Sequence, residues 1–266
     1  MDLGLSGRIA LVTGSHRGTG AGIARVLARE GATVVVHGLE EGQADDVARE
    51  IRDAGGAAFT AHGDVRTAEG ARAAAAGALA AAGRIDILVN NYGTAAGEGW
   101  LDGSDDDWLS MFETNVMSGA RMVRELVPGM VERGWGRVIF VGTVGSRRPR
   151  ARMPGYYASK AGLPNMTVSL AKELAHSGVT VNNVSPGLVA TAEVRAMLER
   201  RAAREGWGDD WQEIQRRAAR DFMPNPSGRV GTPEEVGSLV AFLTSDLAGY
   251  VNGADIRIDG GTADCV

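Results

Sequence analysis

The sequence predicts a single α/β domain built on a mainly parallel sheet that is covered on both faces. Short runs rich in β-branched residues alternate with amphipathic or alanine-rich segments of helical length along all 266 residues. Those runs are largely continuous in apolar character, which is the pattern of strands buried on both faces. No composition shift or long Pro/Ser-rich linker marks a second domain, and the length suits one large α/β unit.

The elements follow in order. "RIALVT" (8–13) is the first strand candidate and runs into a glycine-rich turn and a helix. "ATVVVH" (32–37), "AAFTAHG" (57–63) and "IDILVN" (85–90) come next. Between the last two lies the run "ARAAAAGALAAAG" (71–83). Alanine is the strongest helix former, so this run predicts a closely packed helix. "GRVIFVG" (136–142), "VTVNNVS" (179–185) and "ADIRID" (254–259) complete the strand candidates. Each crossover between parallel neighbours is expected to be right-handed. From Thr191 to Gly228 the alternation breaks into a polar, Arg-rich, helical stretch carrying Trp207 and Trp211, read as an excursion from the sheet.

Bulk properties narrow the function. A net charge of −5 argues against nucleic acid or an anionic membrane surface as the main partner. No apolar run approaches the ~20 residues of a membrane span. The N-terminus shows no basic region followed by a long apolar stretch, so a cytoplasmic protein is expected. The single cysteine, Cys265, has no partner for an internal disulfide and is expected as an exposed tail thiol. His16, His37, His62 and His176 show no metal-ligand clustering, so no metal site is expected. His16 is placed to touch a ligand at the first turn; the other three are read as ordinary surface or loop residues.

The first turn points to a dinucleotide. Gly14, Gly18 and Gly20 have GxxxGxG spacing between a strand and a helix. Such a turn lets backbone N–H groups approach a pyrophosphate at the positive end of the helix dipole. The second strand ends near Gly38, where NAD sites often carry an acid for the ribose 2′-hydroxyl. Arg17 in the turn has the fork geometry for a 2′-phosphate. Both features favour NADP(H) over NAD(H), although Glu40 and Glu41 follow closely.

Five motifs then coincide in order: "TGSHRGTG" (13–20), "NNYG" (90–93), "YYASK" (156–160), "SPG" (185–187) and "IDGG" (258–261). Together they resemble the short-chain dehydrogenase/reductase family over essentially the whole chain, and more loosely its 3-oxoacyl-[acyl-carrier-protein] reductase branch. The resemblance implies one Rossmann-type, doubly wound, seven-stranded parallel sheet, usually assembled as a homotetramer. It implies catalysis by Tyr156 and Lys160, with Thr143 in the place of the family's serine and Asn115 holding a water of the proton relay. It places the cofactor along Gly14, His16, Arg17, Gly18, Thr19 and Gly20, against Gly38, Asp64 and Val65, and beside Asn91 and Gly93. Tyr156 and Lys160 contact it too, with Pro186, Gly187, Val189 and Thr191 on the far side. Asn90 is implied to steady cofactor and sheet.

Two residues depart from the family pattern. Tyr92 is bulky where a small residue usually clears the cofactor, and Thr143 adds a methyl to the serine position, with Ser146 as a fallback. Helix geometry alone lets Lys160 serve Tyr156 or Tyr157; the family pattern selects Tyr156 and leaves Tyr157 at the pocket edge. A free tyrosine has a pKa of ~10, and the cation one turn away is expected to lower it.

The expected function is NAD(P)-dependent interconversion of a small-molecule ketone and a secondary alcohol by hydride transfer. The alternatives are an NAD-dependent alcohol dehydrogenase of the same fold and a non-catalytic dinucleotide-binding sensor or scaffold. Two stretches bear on the substrate. "SRRPRAR" (146–152) concentrates four arginines; a solvated loop is the expected reading, and recognition of an anionic substrate is the alternative. The excursion at 191–228 is expected to form a lid, with Trp207, Trp211, Phe222 and Met223 either lining an apolar pocket or anchoring the lid.

Overall fold

The computed structural model describes residues 2–264, so Cys265 lies outside the described residues. The helices and strands run β1 (Ile9–Val12), α1 (Gly18–Arg29), β2 (Thr33–Gly38), α2 (Asp45–Asp53), β3 (Ala57–His62) and α3 (Ala68–Ala82) through the first half of the fold. Next come β4 (Ile87–Asn90), α4 (Asp105–Phe112), α5 (Ser118–Glu132), β5 (Gly136–Val141), α6 (Pro154–Glu173) and β6 (Val179–Pro186). The chain closes with α7 (Ala192–Glu205), α8 (Trp211–Arg217), α9 (Pro233–Thr244) and β7 (Asp255–Ile258).

The strands form one seven-stranded parallel sheet in the order β3-β2-β1-β4-β5-β6-β7. β1 lies between β2 and β4, with Val12 level with Val36 on one side and Val89 on the other. The winding direction reverses there, and such a switch point opens a crevice at the carboxyl ends of the strands.

Side chains alternate across a strand, so each strand feeds two cores. Val12, Val34 and Val36 pack under α1, α2 and α9 with Ile23, Leu27, Val47 and Val240. Leu11, Val35 and Leu88 pack on the other face with Met122, Met130 and Leu163. Ala71, Ala74, Ala75 and Ala78 bury one side of α3 in that second core, which is why an alanine-rich sequence serves there.

The excursion has a small core of its own. Leu198, Ala202, Trp207, Ile214, Ala218 and Val230 pack together. Trp207 is buried in that cluster, and Trp211 opens α8 with the Arg195 guanidinium 4.7 Å from its ring. Neither tryptophan lines the main cleft, whereas Phe222 and Met223 do. The two tryptophans anchor the excursion, because α7 and α8 pack on each other through them before either meets a ligand.

Candidate active site

A cleft of about 580 Å³ opens at the carboxyl ends of β1, β4, β5 and β6. The glycine turn forms its floor. Gly14 and Gly18 sit at φ 61° and 59°, a left-handed conformation that side-chain-bearing residues resist. Gly14 N–H donates to His37 Nδ1 at 3.0 Å, and His37 Nε2 lies 3.0 Å from the Gly63 carbonyl. The ring is therefore neutral, with its proton on Nε2. The Ser15 hydroxyl accepts His37 N–H at 2.9 Å and donates to the Val12 carbonyl at 2.6 Å. His37 is thus a buried strut of the turn, not a surface residue. Burial drives its pKa down to about 4 against the opposing pull of the Gly63 bond. Its place at the end of the apolar run "VVVH" was the available signal. His62 and His176 are exposed, as expected.

The helix behind the turn is built to receive an anion. Arg17 precedes α1 with no side-chain cap, as at α2, α5 and α6, and no acid stands in the first turn of α1. The first N–H groups of α1 are left for a ligand. His16 Nδ1 is buried in the same cleft with no partner among the described residues. These features fit a dinucleotide pyrophosphate.

The structure gathers most of the other sequence-predicted positions. Thr19, Gly20, Asn91, Gly93, Pro186, Gly187, Val189 and Thr191 line the cleft with the glycine turn. Thr13, which sequence reasoning passed over, ties its two walls together. Its hydroxyl accepts the N–H of Asn91 at 3.1 Å and of Tyr92 at 3.0 Å. The Tyr92 ring lies against Gly14 and becomes part of the cleft wall.

Gly38, Asp64 and Val65 do not line the cleft. Gly38 is covered by Gln43, whose side-chain oxygen accepts Leu39 N–H at 2.9 Å. Asp64 is held by the Arg66 guanidinium at 2.8 Å. Val65 is buried, its side chain completing the core beside α3. Asn90 is buried, and neither atom of its amide has a partner among the described residues.

The reactive groups converge at the far end of the glycine turn. A π-helical turn over Glu113–Met117 joins α4 to α5 and carries Asn115; such turns are frequent at functional sites. Asn115 Oδ1 accepts Thr94 N–H at 3.0 Å, and its Nδ2 donates to the Thr94 carbonyl at 3.2 Å and the Ser159 hydroxyl at 3.3 Å. On α6, Lys160 is buried and donates to the Val141 carbonyl at 2.8 Å. Burial lowers its pKa to about 8. The Thr143 hydroxyl accepts Gly145 N–H at 3.1 Å and lines the same cleft wall as Tyr156, close enough to act on the tyrosine's titration.

The tyrosine's own titration differs from the sequence expectation. Burial pushes its pKa up, the neighbouring Thr143 hydroxyl opposes that, and Tyr157 adds to the rise. Lys160 does not lower it here because its ammonium is turned to the end of β5. Ser146 is ruled out as the substitute for Thr143. Its hydroxyl donates to the Thr143 carbonyl at 2.8 Å, and it does not line the cleft.

Gly93 is where these groups leave no room. A Cβ there would lie 2.6 Å from Asn115 Oδ1 and 2.9 Å from Lys160 Nζ. We expect Gly93→Ala to fold but to displace both side chains. Loss of turnover with near-native circular dichroism is the result to look for; full activity would show that the two groups have slack.

Tyr157 packs against the Gly145 backbone, its ring centroid 5.2 Å from that of Tyr156. The arginine loop is not simply solvated. Arg147 pairs with the buried Asp255 at 3.0 Å. Arg148 donates to the Thr262 carbonyl and lies 3.6 Å from Asp264. Arg150 donates to the Phe222 carbonyl at 2.7 Å. The loop is drawn in because the C-terminal strand and the excursion present carboxylates and free carbonyls to it. All four arginines keep exposed surface, and Arg152 alone has no partner among the described residues.

Comparison with known proteins agrees with this geometry. A family model described as enoyl-(acyl carrier protein) reductase matches residues 14–263. The chain belongs to the short-chain dehydrogenase/reductase family. This short-chain dehydrogenase/reductase is 36% identical over 260 residues to a 3-oxoacyl-[acyl-carrier-protein] reductase of Vibrio harveyi, covering 97% of this chain and 98% of that one. It is 37% identical over 261 residues to a D-beta-hydroxybutyrate dehydrogenase of Cupriavidus necator, with 97% and 98% covered. Its fold matches the L-sorbose reductase of Gluconobacter frateurii, solved with NADPH and L-sorbose, at a TM-score of 0.92, 32% identity and full coverage of both chains. As a member of this family it is an oxidoreductase, and the NADPH-bound neighbour supports a nicotinamide dinucleotide as its cofactor. Among the described residues no helix is long and apolar enough to cross a membrane, and no group of acids, histidines and cysteines is placed to hold a metal.

Proposed function

We propose that this oxidoreductase interconverts a ketone and a secondary alcohol, with NADP(H) favoured. The observation that carries the reading is that Tyr156, Thr143 and Lys160 line one cleft, with Asn115 buried behind its wall and bonded to Thr94. When bound, the nicotinamide supplies or accepts the hydride. The protein must then place the carbonyl and handle one proton. Thr143 donates to the substrate oxygen and steadies its developing charge. Tyr156 gives that oxygen its proton in reduction and removes it in oxidation. Lys160, held down to about 8 by burial, exchanges protons near neutral pH and can recharge the tyrosine. Asn115 fixes the segment at Thr94 and holds the relay toward solvent. The excursion at 191–228 acts as the lid over the substrate. Absorbance at the reduced-nicotinamide band, with a panel of ketones, thioesters and β-keto acids, tests the reading. Cofactor binding without turnover on any member, in either direction, would favour a sensor.

The NADP preference rests on what surrounds the 2′-position. Gly38 ends β2 where an acid would serve NAD, and Gln43 beside it is neutral. Arg17 carries the positive charge, but it is paired with Glu193 of α7 at 3.1 Å. Both side chains are more than half exposed, so the pair holds weakly and a phosphate can displace the carboxylate. Arg17→Ala should raise the Kd for NADPH about 10-fold or more while barely moving that for NADH. Glu193→Gln should tighten NADPH. Equal effects on the two cofactors would remove Arg17 from the phosphate site.

A further inference from the structure

The substrate end of the cleft holds one arginine that the fold has not matched with an acid. Arg147 and Arg148 each have a carboxylate within 4 Å, Asp255 and Asp264. Arg150 has none among the described residues. One of its nitrogens is used by the Phe222 carbonyl, and the guanidinium lies over the Phe222 ring at 4.5 Å. The rest of the fork is left without a protein acceptor. Phe222 is the last residue of a π-helical turn over Ala218–Phe222, so the arginine is fixed between the loop and the excursion.

Its position relative to the reactive groups is defined by Tyr157. That ring stands beside Tyr156, and the positive charge of Arg150 is close enough to oppose the rise that burial gives the Tyr157 pKa. Thr143, Tyr156, Tyr157 and Arg150 all line this cleft, with the Tyr157 ring beside that of Tyr156. Among the described residues Glu193 is the only acid on the cleft lining, and it is paired with Arg17 at the cofactor end. A negative group at that end meets the Arg150 charge, and among the described residues no acid lines the cleft there.

We propose that Arg150 selects substrates bearing a carboxylate a few bonds from the carbonyl, so that the preferred substrate is a short oxo acid. This rests on the ketone–alcohol reading for its catalytic half. The fork binds the carboxylate, Tyr157 fills the space between, and the carbonyl reaches Tyr156 and Thr143. Phe222, held by the same arginine, links a filled anion site to the excursion.

The test pairs 3-oxobutyrate and 4-oxopentanoate with their methyl esters as substrates for the wild type, Arg150→Gln and Arg150→Lys. We expect the wild type to prefer the acids, and Arg150→Gln to cut the acid-to-ester ratio of kcat/KM by about 10- to 100-fold through KM. Arg150→Lys should restore part of that ratio, because it returns the charge without the fork. Loss of the Phe222 contact alone would lower acid and ester together, leave the ratio unchanged and overturn the proposal. So would a wild type that favours the esters. A thioester preferred over both would point to a carrier-bound substrate and also overturn it. A second arm does not need turnover. Binding of 4-oxopentanoate to the NADPH-loaded protein, followed by nicotinamide fluorescence, should weaken in Arg150→Gln and not for the methyl ester. If no compound turns over but this binding difference holds, the ketone–alcohol reading fails and the carboxylate site stands.

Discussion

Replacing Tyr156 by Phe is expected to lower the rate of carbonyl reduction by about 10²–10⁴-fold, the usual contribution of a positioned general acid. Cofactor should still bind, since the glycine turn, Thr13 and Asn91 are untouched. Tyr157→Phe should keep most of its turnover. Thr143 acts on the titration of Tyr156 and not on that of Tyr157, which packs on Gly145 at the cleft wall. Steady-state absorbance with the two variants side by side checks this, together with nicotinamide fluorescence for binding. A Tyr157→Phe protein that fails while Tyr156→Phe works would reassign the proton donor.

His37→Leu is expected to be the most damaging change away from the reactive groups. It removes the acceptor of Gly14 N–H and the donor to the Gly63 carbonyl, both at 3.0 Å. Each buried backbone group left unpaired costs about 1–3 kcal/mol. Against a total stability of roughly 5–15 kcal/mol that is a large fall, and the Kd for cofactor should rise as the turn loosens. The same residue gives a signed pH effect. Its pKa is about 4 in the fold and 6.5 ordinarily, with burial as the main cause, His16 and His62 adding to it and Asp64 opposing. Above 6.5 the ring is neutral in both states and its contribution is complete. As pH falls from 6.5 toward 4 the unfolded chain takes the proton first, and stability is lost. The loss reaches about 2 kcal/mol by pH 5. Urea unfolding at pH 7 and pH 5 should show that difference in the wild type and a smaller one in His37→Leu. Parallel pH slopes would remove His37 as the titrating group.

The sheet, the glycine turn and the Tyr156–Lys160 helix were readable because each is local. An apolar run reads as a buried strand wherever it sits, and YYASK lies within one turn and a half of helix. What the sequence hid depends on residues brought together from far apart. The arginines at 147–150 read as a solvated run, since nothing nearby shows that Asp255, Thr262 and Phe222 come round to meet them. Arg17 reads as a free cation until α7 brings Glu193 beside it. Val65 was assigned to the ligand by motif position, but its side chain completes the core beside α3. Lys160 lies on the cleft lining where the motif puts it, but the direction of its side chain was not legible. Only the end of β5 shows that the ammonium binds Val141 and leaves the tyrosine's titration to burial and Thr143.

Of the two π-helical turns, Ala218–Phe222 carries Phe222 of the cleft lining, and Glu113–Met117 carries Asn115 behind the wall at Thr94. Each is in effect a helix carrying one residue more than regular i→i+4 bonding accommodates. Deleting one residue from the first would let α4 and α5 run on as a single regular helix. It would also rotate everything before the cut by about 100° relative to everything after it. Asn115 would no longer face Thr94 and Ser159. The same deletion in the second turn would carry Phe222 out from under Arg150. A protein engineer screening shortened chains for heat resistance would find these two positions rewarding, and would recover sturdier proteins that had lost their aim.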